Sequence, residues 1–125
     1  MLNLIENALS IRSIRYSVAN GRRGRKKTID CGVARSAVYE ISATNTGQKY
    51  VNISCRLAPV GGNGWYAKVM YPDRLCVLPG KTESIRVMLV VTSGEALRKT
   101  IRFKLRLRSN VSKLVKKFRF TARCQ

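Results

Sequence analysis

The chain has 125 residues and a mass of 14.1 kDa, and it carries 25 Lys and Arg against 6 Asp and Glu. Its formal net charge is +19, it contains no His, and 45% of its residues are hydrophobic. This composition is sufficient for one folded core, and it excludes Cys/His or Ser/His catalytic pairs and His-ligated metal sites. Since the few acidic residues are scattered, we expect no catalytic residue, no metal and no cofactor.

The N-terminal segment differs from the rest of the chain. Apolar residues at helical spacing predict a short helix or arm over residues 1–10, and residues 11–125 form the predicted domain. Polar residues interrupt the first apolar run, so we expect neither a secretory signal nor a membrane span. The basic, Ser-containing composition of residues 1–29 also suits an organellar transit peptide.

Beyond residue 11, apolar and polar residues alternate in short runs, which indicates half-buried β-strands. The runs cover residues 14–18, 29–33, 37–43, 51–57, 65–71, 85–91, 101–108 and 118–124, and residues 75–78 lead into a turn. Turn signals separate them, among them Asn20-Gly21, Asn45-Thr46-Gly47 and Pro79-Gly80. The pattern predicts an all-β fold, an antiparallel immunoglobulin-like β-sandwich of seven or eight strands. Residues 85–91 are apolar on both faces, so we expect that strand to be central.

Three segments carry a family resemblance: SAVYEISATNTGQKYVNISCRL, GWYAKVMYP and LCVLPGKTESIRVMLVV. They share an Asn-x-Gly turn before an alternating strand, a Gly-Trp strand, and a Leu-x-Pro-Gly turn before another alternating strand. Through these features residues 38–108 resemble the immunoglobulin-like β-sandwich modules of the CARDB and NEW3 kind. The resemblance implies the fold, and function has to be argued from the site.

The four cysteines, Cys31, Cys55, Cys76 and Cys124, are too far apart in sequence for a CxxC motif. Cys55 and Cys124 fall in phase with apolar neighbours, which predicts small buried thiols. In an oxidising compartment a disulfide is possible, and four cysteines allow three connectivities.

The strongest charged feature is the C-terminal pair of strands. Alternate residues of the first strand are basic, so their side chains project from one sheet face, and residues of matching parity on the second strand are basic as well. With residues 109–116 as the connection, seven cations share this face: Arg102, Lys104, Arg106, Arg108, Lys117, Arg119 and Arg123. Like charges directly opposite each other destabilise a strand pair, so an anionic partner is expected. The alternative is a solvated edge whose charges discourage aggregation.

A second basic feature is the Gly-punctuated loop over residues 21–28. Its cations are Arg22, Arg23, Arg25, Lys26 and Lys27. Such runs are typical of polyanion-binding patches, and the alternative is a solvated loop without a partner. Tyr66 has outward parity beside Lys68, which makes it a candidate for stacking on bases; the alternative is a Tyr that covers the sheet.

These features together predict a non-catalytic nucleic-acid-binding protein that contacts phosphates through the basic sheet face and the basic loop. RNA is favoured over DNA, as in a ribosomal-type ribonucleoprotein component. Two alternatives are a DNA-packaging, chromatin or virion protein, and a protein-interaction module for an acidic partner or an anionic membrane surface. A third is an enzyme that works through Lys, Ser, Tyr or a Cys thiolate, which the absence of His disfavours and no residue spacing supports. No small-molecule substrate is expected. The expected location is cytoplasmic or within a nucleoprotein particle, with organellar import also open.

Overall fold

A computed structural model describes residues 13–30, 35–70 and 73–125, without the side chains of residues 112–114. The helix or arm predicted over residues 1–10 lies outside the described residues. The strands are β1 (Ile14–Val18), β2 (Lys26–Ile29), β3 (Ser36–Asn45), β4 (Val51–Ala58), β5 (Gly61–Gly62), β6 (Trp65–Val69), β7 (Arg74–Val77), β8 (Thr82–Val91), β9 (Thr100–Ser109) and β10 (Ser112–Cys124). Short 3-10 turns cover Arg23–Arg25 and Gly94–Ala96.

The strands form two five-stranded sheets packed face to face. Sheet A has the order β1-β3-β8-β6-β5, and sheet B has the order β2-β10-β9-β4-β7. Among the described strands, every pair is antiparallel except β2 with β10, which is parallel. The predicted all-β sandwich is therefore confirmed, and β8 is central in sheet A as its apolar faces indicated.

The ten described strands exceed the seven or eight predicted. β7 lies in a segment that was expected only to lead into a turn, and the predicted strand over residues 29–33 lies outside the described residues beyond Asp30. Two further strands lie in segments that the sequence indicated as loops. One is the two-residue β5 in the glycine-rich loop, and the other is β2 within the predicted basic loop. The connection predicted over residues 109–116 is also shorter. β9 ends at Ser109 and β10 begins at Ser112. The pairing of the two strands shifts register between Ser112 and Val115, as it does at a β-bulge.

The core lies between the sheets and is filled by the side chains that point inward from the alternating strands. Tyr39 of β3 packs against Phe103 and Phe120, with ring centroids 5.4 and 4.8 Å apart. Its hydroxyl donates a hydrogen bond of 2.7 Å to the backbone oxygen of Thr121 on the opposite sheet. Trp65 packs 6.3 Å from Phe103 and is half-buried. These rings fix how the two sheets sit on each other.

A buried asparagine joins the turn after β3 to the turn before β8. Asn45 is fully buried, and its amide donates hydrogen bonds to the backbone oxygens of Lys49 at 2.7 Å and Val77 at 2.9 Å. Its side-chain oxygen accepts a hydrogen bond from the backbone N–H of Gly47 at 2.9 Å. The Asn-x-Gly signal in the sequence therefore marks a turn held together by a buried, satisfied side chain.

Candidate functional site

The outer surface of sheet B carries basic side chains from all five of its strands. In each strand the inward neighbours are mainly buried, so residues of the other parity face solvent. We call this surface the cationic face. Its members are Lys26 on β2, Arg56 on β4, Arg74 on β7, Arg102, Lys104, Arg106 and Arg108 on β9, and Lys117, Arg119 and Arg123 on β10.

The strand register places several of these cations directly beside each other. Arg106 lies opposite Lys117 on one side and opposite Arg56 on the other, which makes a row of three cations across three strands. Lys104 lies opposite Arg119. Cβ atoms of directly opposite residues are about 4.5–5.5 Å apart, so the two charges of each pair repel each other and lower the stability of the sheet.

The acidic residues of the described chain do not offset this charge. The five strands of sheet B, over their described ranges, contain no Asp or Glu, and none of the ten cations forms an ion pair within the described residues. Glu40 and Arg86, which lie opposite each other on sheet A, form an ion pair of 3.6 Å. The cationic face therefore combines ten basic side chains with no acidic residue in the described strands that form it.

The cations of the predicted basic loop are divided between four environments. Arg22 and Arg23 are exposed, and the Arg25 guanidinium lies 5.4 Å from the centroid of the Phe118 ring. Lys26 begins β2 and belongs to the cationic face, whereas Lys27 has inward parity and its ammonium lies 5.9 Å from the centroid of the Tyr39 ring. The prediction of one loop over residues 21–28 is therefore wrong for residues 26–28, because parallel pairing with β10 makes them a strand.

Tyr66 does not join the predicted site. It lies on β6 in sheet A, opposite Val90 and Gly61, and is partly exposed on the outer surface of that sheet. The cationic face is on the other side of the sandwich. Parity indicated correctly that the side chain points outward, but it cannot indicate which sheet a strand joins.

Two members of the cationic face, Arg56 and Arg74, were not among the predicted site residues. Arg56 has outward parity in the β4 alternation, so the sequence indicated that its side chain is exposed. Its relation to the C-terminal strands depends on β4 pairing with β9, and that of Arg74 depends on β7 pairing with β4. Both pairings are non-local.

Burial favours the protonated forms of one cysteine thiol and two tyrosine hydroxyls that face the interior. Burial raises the pKa of the Cys55 thiol to about 11 and that of the Tyr16 hydroxyl to about 12, with smaller contributions from Asp73 and Cys55 respectively. Burial also raises the pKa of Tyr39. Because the thiolate is the nucleophilic form of cysteine, these values do not favour Cys55 as a nucleophile near neutral pH.

The remaining cysteines differ in state. Cys76 is a free, exposed thiol on β7, whereas Cys124 is fully buried and disulfide-bonded. Among the described residues, no three or more His, Cys, Asp or Glu come close enough to hold a metal ion. No described helix has the length and apolar character needed to cross a membrane.

Comparison with known proteins identifies the fold. No family model matches the chain, and no curated protein sequence matches it either. Among solved structures, a FixG-related protein from Vibrio parahaemolyticus aligns with 90% of this chain and 94% of its own, at 11% identity and a TM-score of 0.57. The periplasmic chaperone SfaE aligns at 10% identity and a TM-score of 0.57, over 90% of this chain and 57% of its own. A PapD-like domain of human CEP192 aligns at 9% identity and a TM-score of 0.50, over 90% and 84%.

These likenesses confirm the immunoglobulin-like fold and do not single out the CARDB or NEW3 kind. They also overturn the functional prediction. The solved structures that share the fold include a periplasmic chaperone and a PapD-like domain, which point to protein interaction, so the predictions of RNA or DNA as the partner and of a ribonucleoprotein or virion component are wrong. The error arose because net charge indicates an anionic partner without indicating its chemical class.

Proposed function

We propose that this chain is a protein-interaction domain whose cationic face binds an acidic segment of a partner protein. The observation that carries the proposal is the concentration of ten basic side chains on the outer face of sheet B, whose described strands contain no acidic residue. Like charges held side by side destabilise the sheet. Carboxylates supplied by a partner would relieve that repulsion and steer association.

The fold supports a protein as the partner. One of the solved structures with this architecture is a periplasmic chaperone, and the proposal carries over only the class of its ligand, a protein. We include in this proposal the finer resemblance of residues 38–108 to CARDB and NEW3 modules. That resemblance concerns the fold and adds no catalytic residue.

We further propose that the domain acts by binding and without catalysis. The high pKa of Cys55 and the absence of His from the sequence support this. The disulfide at Cys124 supports an oxidising compartment in place of the predicted cytoplasmic location.

The test uses a fluorescently labelled acidic peptide, rich in Glu and Ser, titrated with the protein and followed by anisotropy. A variant with Arg102, Lys104, Arg106 and Arg108 all changed to Gln should bind at least about tenfold more weakly, because four ion pairs are lost. Binding by the parent protein should weaken as salt is raised, since exposed charges are screened.

The matched control removes the same charge elsewhere. Changing Arg15, Lys49, Lys68 and Lys81 to Gln lowers the net charge equally at exposed positions off the cationic face, and affinity should stay within about twofold. Equal weakening by the two variants would show that net charge acts without a defined surface. Tighter binding to an RNA oligonucleotide or to phosphatidylserine vesicles at the same ionic strength would contradict the assignment to a protein partner.

A further inference from the structure

The longest row of cations on the cationic face runs along a single strand. β9 is the middle strand of sheet B, and its outward residues Arg102, Lys104, Arg106 and Arg108 are all basic. Residues two apart on a strand are separated by about 6.6–6.8 Å. The row therefore offers four positive charges at a regular spacing in one direction.

The neighbouring strands reinforce the middle of this row. Lys104 has Arg119 beside it, and Arg106 has Lys117 and Arg56 on its two sides. At the ends the direct neighbours are uncharged, with Thr121 beside Arg102 and Ser54 beside Arg108. A ligand that lies along β9 thus meets positive charge over its whole length, most strongly at Arg106.

The geometry points to an extended acidic segment with a carboxylate at every second residue, lying along β9; this inference rests on the proposed function. An extended chain sends alternate side chains to the same side at the spacing of β9 itself, so successive carboxylates stay in register with the four cations. In a helix, residues four apart rise about 6.0 Å and rotate about 40° around the axis, so the carboxylates leave the surface after a few steps. An extended ligand fits the row without that drift.

The experiment compares two labelled peptides of equal length, composition and net charge, one alternating Glu and Ser and the other repeating Glu-Glu-Ser-Ser. In an extended conformation the second peptide turns half its carboxylates away from β9. We expect the alternating peptide to bind about fivefold more tightly at the same ionic strength, because about two additional exposed ion pairs form.

The preference should disappear when Arg102, Lys104, Arg106 and Arg108 are changed to Gln. It should persist in the control variant that changes Arg15, Lys49, Lys68 and Lys81 to Gln. Equal affinity for the two peptides, or tighter binding of the second, would overturn the extended register while leaving the proposed function standing. Failure of both peptides to bind would overturn the proposed function itself.

Discussion

Asn45 shows how a single polar residue holds two turns of this sandwich together. Its amide donates to the backbone oxygens of Lys49, in the turn after β3, and of Val77, at the end of β7. Its side-chain oxygen accepts a hydrogen bond from the Gly47 N–H, so every hydrogen-bonding group of this buried side chain has a partner. The backbone N–H of Asn45 also donates to the oxygen of Lys81, and its oxygen accepts from Gly80. The residue is structural, and it lies away from the cationic face.

We expect Asn45→Ala to lower the free energy of unfolding by about 2–4 kcal/mol, because it leaves the backbone oxygen of Val77 and the N–H of Gly47 without partners. Urea denaturation followed by circular dichroism measures the loss. Asn63→Ala changes an exposed turn residue and should alter stability by less than about 0.5 kcal/mol. A similar small effect at Asn45 would contradict the structural role.

At the scale of elements, β9 combines a core-forming face with a face under electrostatic repulsion. Ile101, Phe103, Leu105 and Leu107 are buried on its inner side, while the outer side belongs to the cationic face. Burial on the inner side holds the strand in place against the repulsion outside. Arg106, at the centre of the row with Lys117 and Arg56, is where that repulsion is strongest.

The substitution Arg106→Gln should therefore raise stability while it weakens binding. We expect a gain of about 0.2–1 kcal/mol in the free energy of unfolding, since two unfavourable cross-strand pairs are relieved. The same variant should bind the acidic peptide several-fold more weakly. Lys68→Gln on sheet A is the matched control and should change neither quantity appreciably. A loss of stability in Arg106→Gln would show that the row is not under repulsion.

The elements that were predicted well are those whose own residues alternate. The β3, β4, β8 and β9 strands were recognisable because apolar residues recur at a period of two. The β2 strand was not, because Lys26, Lys27 and Thr28 precede its only buried residue and the strand depends on pairing with β10. Likewise, parity predicted that seven cations share one face. The place of Arg56 and Arg74 on that face could not be predicted, because it depends on the order of strands in the sheet.

At the scale of the whole molecule, the two outer faces of the sandwich differ in chemistry. The outer face of sheet A combines the apolar and aromatic residues Val38, Tyr66 and Met88 with the cations Arg15 and Lys68 and the paired Glu40 and Arg86, whereas that of sheet B carries ten cations and no acidic residue in its described strands. Composition alone gave the net charge and could not give this division, because it depends on which strands share a sheet. The molecule therefore presents one side suited to an acidic partner.

The most direct test of that account is a titration of the isotopically labelled protein with the acidic peptide, followed residue by residue in the NMR spectrum of backbone amides and arginine side chains. We expect the largest shift changes on β9, with Arg106 among them, and smaller ones on the adjoining parts of β10 and β4. Changes spread evenly over the two sheets, or concentrated on the outer face of sheet A, would contradict the cationic face as the binding surface.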